Sequence, residues 1–209
     1  MTETTDTPPR RRAPGMTSEQ RRAMIVAAAL PLVAESGAAV TTSQIARAAG
    51  IGEATIFRAF KDKDEVLDAC VAEAVNPDHV LRELASIPLD QPLSARLIEA
   101  AEALRAHLER IGAVIGSLHA SGHSRGRSPG DRPPPGSREA SMRVLGDAVT
   151  ELIEPDRDAL RLEPGKVASI FLGMPFTRLH PASGGAEATL EDFVSVLLHG
   201  ALNDPGSVT

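Results

Sequence analysis

Residues 41–60, TTSQIARAAGIGEATIFRAF, decide how this chain is read. Thr41 and Gln44 have the spacing of a capping box, so a short helix opens there and runs to Ala49. Gly50 follows, where a tight turn needs a positive φ that glycine adopts without a Cβ penalty. A second short helix covers Glu53–Phe60. Ile45, Ala46 and Ala49 on the first helix face Ile51, Ile56 and Phe60 on the second, and Ala46 is small where the two backbones must approach. The second helix then presents Glu53, Ala54 and Arg58 outward, as a helix entering the DNA major groove does. The alternative is an ordinary helical hairpin packed in a core.

The flanks extend the unit in both directions. Upstream, Thr17 and Gln20 form another box, and Ile25, Ala28, Ala29, Leu32 and Val33 follow the i, i+3, i+4, i+7, i+8 pattern of a helix on a core. Pro31 removes one backbone bond and bends this helix, and Gly37 ends it. Downstream, Asp62 and Glu65 open a third boxed helix with Val66, Leu67, Cys70, Val71 and Ala74 facing inward, closed by Asn76-Pro77. Residues 17–76 therefore form an N-terminal helix-turn-helix domain, three boxed helices with the short helix Glu53–Phe60 among them, preceded by a disordered Thr/Pro/Arg arm over 1–16.

The rest of the 209-residue chain, a second domain over 77–204, is also helical. Leu93, Leu97, Ala101, Leu104, Leu108, Ile111, Ile115 and Leu118 recur every three or four residues, which implies a scaffold helix of ~28 residues, ~40 Å long. Residues 121–137, SGHSRGRSPGDRPPPGS, are low-complexity and read as a mobile loop. Met142, Leu145, Val149 and Leu152 mark a helix stopped by Pro155, and Val167, Ile170, Phe171 and Met174 mark one stopped by Pro175. The last, capped by Thr189, carries Leu190, Phe193, Val194, Leu197, Leu198, Ala201 and Leu202. No segment alternates with a period of two, so the fold class is all-α.

Composition agrees: 42% hydrophobic and 24% charged residues suit a globular chain, and five Phe with no Tyr or Trp are few for a β-sandwich core. The net charge of −6 hides an asymmetry. Residues 1–63 hold nine Lys/Arg against six Asp/Glu, whereas 64–209 hold 13 against 22, a basic head on an acidic body.

Residues 17–75 resemble the DNA-binding domain of the TetR (tetracycline-repressor-like) family of transcriptional regulators. The resemblance rests on Val40-Thr41-Thr42, Ile45-Ala46 through Ala49-Gly50-Ile51, Thr55-Ile56-Phe57-Arg58-Ala59-Phe60 and Lys61–Leu67. It implies that Thr42 and Thr55 donate hydroxyls to DNA phosphates and that Lys63 meets a phosphate. It also implies that Ser43, Glu53, Ala54 and Arg58 face base edges, where only Arg58 has the bidentate geometry for guanine N7 and O6. The chain departs from the family at Gly52 (commonly Ser), Phe57 (commonly Tyr) and Ala59 (commonly His or Tyr). Lys61 and the Arg10, Arg11 and Arg12 arm can make up lost phosphate contacts. The resemblance further implies a small-molecule effector in the acidic body, with His107, Ile111, His119, Met142, Phe171, Met174 and Phe176 as candidate contacts. It implies a homodimer, because the apolar stripes on 166–174 and 189–202 leave too much hydrophobic surface for a monomer. The expected function is an operator-binding repressor released by its ligand.

Other chemistries are poorly supported. Gly122-His123-Ser124-Arg125-Gly126 matches a nucleophile elbow, which would make Ser124 a hydrolase nucleophile, but that motif needs a preceding strand. His107 and Glu109 lack the paired cysteines of a zinc deaminase, and the six scattered His offer no metal site or cofactor. Cys70 lies on an apolar stripe and reads as core rather than as a redox sensor. Arg10–Arg12 before the apolar run Ala23–Ala34 imitate a twin-arginine signal, but Pro31 and the polar Thr17–Arg22 segment argue against export, so the expected location is cytoplasmic, away from membranes. The remaining alternative is a helical interaction module whose helix-turn-helix has lost DNA.

Overall fold

Thr17 opens the first helix as its spacing predicts. Its hydroxyl accepts from Gln20 N at 3.1 Å while Gln20 Oε1 accepts from Thr17 N at 2.9 Å, and α1 runs Ser18–Ser36. The computed structural model describes residues 16–123, 137–173 and 188–201. Its helices are α1, α2 (Thr42–Ala48), α3 (Glu53–Ala59), α4 (Lys63–Val75), α5 (Asp78–Ala85), α6 (Leu93–Ala120), α7 (Ser137–Ile153), α8 (Pro164–Gly173) and α9 (Leu190–Ala201). No strand occurs among the described residues, and the fold is all-α. The arm with Arg10–Arg12, the loop from Ser124 to 136, and Met174, Phe176 and Leu202 lie outside the described residues.

Two apolar cores organise the chain. The first joins Ile25, Ala29 and Val33 of α1 to Ile45, Ile56, Phe60, Val66, Leu67 and Cys70. The second joins Val80 and Leu84 of α5 to Leu97, Ala101 and Leu104 of α6, Val149 of α7, Phe171 of α8 and Val194 of α9. Helix α6 belongs to both, because Val114 and Leu118 at its far end pack into the first core. One continuous helix therefore runs from the body into the helix-turn-helix unit.

Four details depart from the sequence reading. Leu108 and Ile115 are 36% and 42% exposed, not on the buried stripe, because beyond His107 the helix leaves the body core and presents Val114 and Leu118 to α1 and α4 instead. Asn76-Pro77 does not only close α4. Asn76 Oδ1 accepts from Asp78 N at 3.1 Å and Pro77 O from Leu81 N at 2.9 Å, so the pair starts α5, which the periodicity did not reveal. The third capping box is half made: Asp62 accepts from Glu65 N at 2.9 Å, but the Glu65 carboxylate turns to Lys61 and Arg22. The first residues of the expected mobile loop are held, since Ser121 Oγ accepts from Ala38 N at 2.8 Å and His123 lies between Asp64 (3.7 Å) and Asp68 (3.6 Å).

One buried charge ties the body together. Arg96 is 2% exposed and donates to Leu152 O at 2.6 Å and to the Asp156 carboxylate, linking α6 to the end of α7 and the turn after it. The segment Ser18–Ala39 is long and apolar enough to pass a length-and-composition test for a membrane span. Its apolar side, however, is Ile25, Val26, Ala29 and Val33, all inside the first core.

Candidate nucleic-acid interface

The α2–α3 corner is held by a run of local hydrogen bonds. Thr41 and Gln44 close a reciprocal box at the start of α2 (Gln44 N to Thr41 Oγ1 3.2 Å, Thr41 N to Gln44 Oε1 2.8 Å). Gly50 takes φ +67°, which lets Gly50 N reach Arg47 O at 3.2 Å and Ile51 N reach Ala46 O at 3.0 Å. Helix α3 starts without a side-chain cap at Gly52; Thr55 N bonds Gly52 O at 2.8 Å, and Glu53 supplies the acidic first-turn charge instead. Ile45, Ala46, Ile56 and Phe60 are buried between the helices, which turns the other side of α3 to solvent.

On that side Glu53, Ala54, Phe57 and Arg58 are exposed, as are Ser43 on α2 and Lys61 just beyond α3. Ala54 and Arg58 are one helical turn apart, so small and long side chains alternate along one edge. Phe57 is 53% exposed, an apolar ring with no core role. Thr42, Thr55 and Lys63 are half-buried. Two of these groups are already engaged. The Thr42 hydroxyl donates to the Glu53 carboxylate, joining the starts of α2 and α3. Lys63 Nζ donates to Ala38 O at 2.8 Å, at the turn that ends α1. The sequence reading assigned neither bond, because each partner is remote along the chain.

A second set of contacts joins this unit to α6. Gly37 has φ +56°, and a Cβ there would stand 2.3 Å from Ser117 O. The bare glycine lets the end of α1 lie directly on α6, where Ser117 Oγ donates to Val33 O at 2.6 Å. Sequence reading found Gly37 as a helix stop and missed it as a contact.

The effector candidates do not converge. Phe171 is fully buried, His107 is 5% exposed, Ile111 is half-buried, and His119 and Met142 face solvent. The departure of α6 from the body core explains His119, which lies beyond the point where the helix changes partners. His107 stands out because its Nδ1 is buried without a hydrogen-bond partner. Burial, with Arg110 and His79 nearby, lowers its pKa, so the ring is neutral at pH 7. Among the described residues, no group of three or more His, Cys, Asp or Glu is placed to hold a metal ion. The residues leading to Ser124 are the end of α6 and a turn, not the strand that a nucleophile elbow requires.

Cys70 is buried, and desolvation with Glu73 nearby pushes its thiol up to about 12. A thiol reagent at pH 8 should therefore leave the native protein unlabelled and react fully once denaturant is added. Rapid labelling of the folded chain would place Cys70 at a surface.

Residues 25–70 match the family model of bacterial regulatory proteins, tetR family. The fold resembles that of a protein from Mesorhizobium loti assigned to the TetR family, at 17% identity and TM-score 0.55, over 89% of this chain and 98% of that one. It also resembles a TetR transcriptional regulator from Streptomyces coelicolor, at 19% identity and TM-score 0.54, over 87% and 98%. A third, PfmR from Thermus thermophilus, matches at 17% identity and TM-score 0.51, over 84% and 97%. Residues 25–70 thus carry the helix-turn-helix domain of the tetR family of bacterial regulatory proteins, set in an all-α fold that the chain shares with these solved structures.

Proposed function

We propose that this protein is a homodimeric repressor, not an enzyme, that reads a two-fold-related operator through α3 and releases it on binding a small molecule. The observation that carries the reading is the exposed edge of α3, where Ala54 and Arg58 project from a helix whose opposite side is locked in a core. Arg58 makes the bidentate base contact, Ser43, Glu53, Ala54 and Phe57 shape the surface around it, and Lys61 meets phosphate. Thr42, Thr55 and Lys63 also contact phosphate, the first and last by exchanging their Glu53 and Ala38 partners for DNA.

The dimer forms through 166–174 and 189–202. Ile170 (45%) and Val196 (74%) are exposed on α8 and α9, which already meet through the Phe171 and Phe193 rings at 6.1 Å. The effector acts in the body near His107, whose neutral, unpartnered nitrogen suits an uncharged polar group. Motion reaches α3 through α6 and the Gly37–Ser117 seat. The protein works in the cytoplasm, where operator DNA is.

Two linked measurements test this. Sedimentation should give twice the 22.0 kDa chain mass, and Val196→Glu should shift it to monomer. Selection of duplexes from a random pool should return a palindrome whose half-sites lie about 34–36 Å or a multiple apart. A wild-type monomer at micromolar concentration, or a pool that returns no motif, contradicts the proposal.

A further inference from the structure

We infer that Arg22 on α1 and Glu65 on α4 form a clamp that sets the angle of α3 against DNA, so that these two residues, which lie off the exposed face of α3, determine how well it reads sequence. The inference rests on the reading of α3 as the recognition helix. The reason begins with length. Helix α3 has seven residues, two turns, too few to hold a direction by its own hydrogen bonds. Its start has no side-chain cap and is tied to α2 by the exposed Thr42–Glu53 bond. DNA displaces that bond in the proposed complex, so the orientation of α3 there depends on how its end is held.

That end is gripped from both sides. The Arg22 guanidinium donates one N–H to Ala59 O, the last carbonyl of α3, where the helix dipole is negative. It donates another to Glu65 Oε1 at 2.7 Å and lies 4.0 Å over the Phe60 ring, the buried anchor that follows α3. The other carboxylate oxygen, Glu65 Oε2, accepts from Lys61 N at 2.6 Å. The pair thus fixes the segment 59–61 between α1 and α4. The hydrogen bonds from Lys61 and Arg22 also hold the Glu65 carboxyl below its ordinary pKa, so the clamp is charged at neutral pH. Arg58 and Lys61, the two exposed cations of this edge, lie just before the gripped segment and at its end. A guanidinium is required because only its planar fork reaches a carbonyl and a carboxylate together.

The test uses the full chain and two duplexes: the one enriched by the wild-type protein from a random pool, and an unrelated duplex of equal length. Arg22→Met and Glu65→Gln should each cut the ratio of the two affinities about tenfold while binding to the unrelated duplex stays within about twofold. Arg22→Lys, which keeps the charge but not the fork, should recover part of the ratio. A pair with only a structural role lowers the melting temperature and weakens both duplexes in parallel, and that result overturns the proposal. If Arg22→Met fails to fold, Glu65→Gln decides, because its amide oxygen still accepts from Lys61 N. Arg58→Ala separates the two readings. If it abolishes the preference while Arg22→Met and Glu65→Gln keep it, the clamp alone is refuted; if Arg58→Ala keeps the preference, the recognition helix and the clamp fall together.

Discussion

Asp156→Ala is expected to destabilise the protein by about 3 kcal/mol, out of proportion to the exposure of the residue removed. Asp156 itself is one-third exposed (34%), and a surface carboxylate alone would contribute little. Its partner decides the magnitude. Arg96 is 2% exposed, its Nε already lacks a hydrogen-bond partner, and without Asp156 only the Leu152 carbonyl answers a buried positive charge. Breaking a buried pair costs about 3–5 kcal/mol when the stranded charge cannot reach water, and the partial exposure of Asp156 places this case at the lower end. Chemical denaturation measures the loss. Adding Arg96→Met to Asp156→Ala should restore most of it, because an apolar side chain of similar length removes the charge that was stranded. A loss below about 1 kcal/mol for Asp156→Ala, the size of an exposed ion pair, would mean that Arg96 finds water.

Gly37→Ala should cost about 3 kcal/mol or more, and Gly50→Ala clearly less, although both glycines have positive φ. At Gly50 nothing lies within 4 Å of an added Cβ, so only backbone strain opposes the change, about 1–2 kcal/mol. At Gly37 the Cβ would meet Ser117 O at 2.3 Å and Ser117 C at 2.8 Å, both backbone atoms of α6 that no rotamer change can move. The end of α1 must then lift from α6, which also breaks the Ser117–Val33 (2.6 Å) and Ala38–Ser121 (2.8 Å) bonds. Thermal unfolding of the two variants side by side measures the difference. Equal losses would show that strain alone matters and that the α1–α6 seat is loose.

The limits of sequence reading follow from the range of each interaction. Helix α6 was legible to its ends, Leu93 and Ala120, because an unbroken three-and-four repeat depends only on neighbours along the chain. The same repeat could not show that Leu108 and Ile115 would turn outward, since that depends on which core receives Val114 and Leu118. Helix α5 was missed because its eight residues bury only Val80 and Leu84, too few to display a period. At the interface, the exposed positions of α3 could be read from the apolar spacing of Ile45, Ile56 and Phe60. The engagements of Thr42 with Glu53 and of Lys63 with Ala38 could not, nor could the clamp from Arg22, whose partners Ala59 and Glu65 lie 37 and 43 residues away. Such contacts are set by tertiary placement and leave no local pattern.

Those engagements also decide how the central claim is best tested. Lys63→Ala would confound a lost phosphate contact with a lost bond to Ala38, whereas Lys61 is exposed and gives a cleaner comparison. The direct measurement is the affinity of wild type, Arg58→Ala and Lys61→Ala for the selected operator and for its single-base variants, across a salt series. Arg58→Ala should lose about 1–3 kcal/mol on the operator and become indifferent to the base at one position in each half-site, with unrelated DNA bound as before. Lys61→Ala should weaken every duplex alike and flatten the salt dependence by about one phosphate's share. If Arg58→Ala keeps its base preference intact, α3 does not read the groove and the account is wrong.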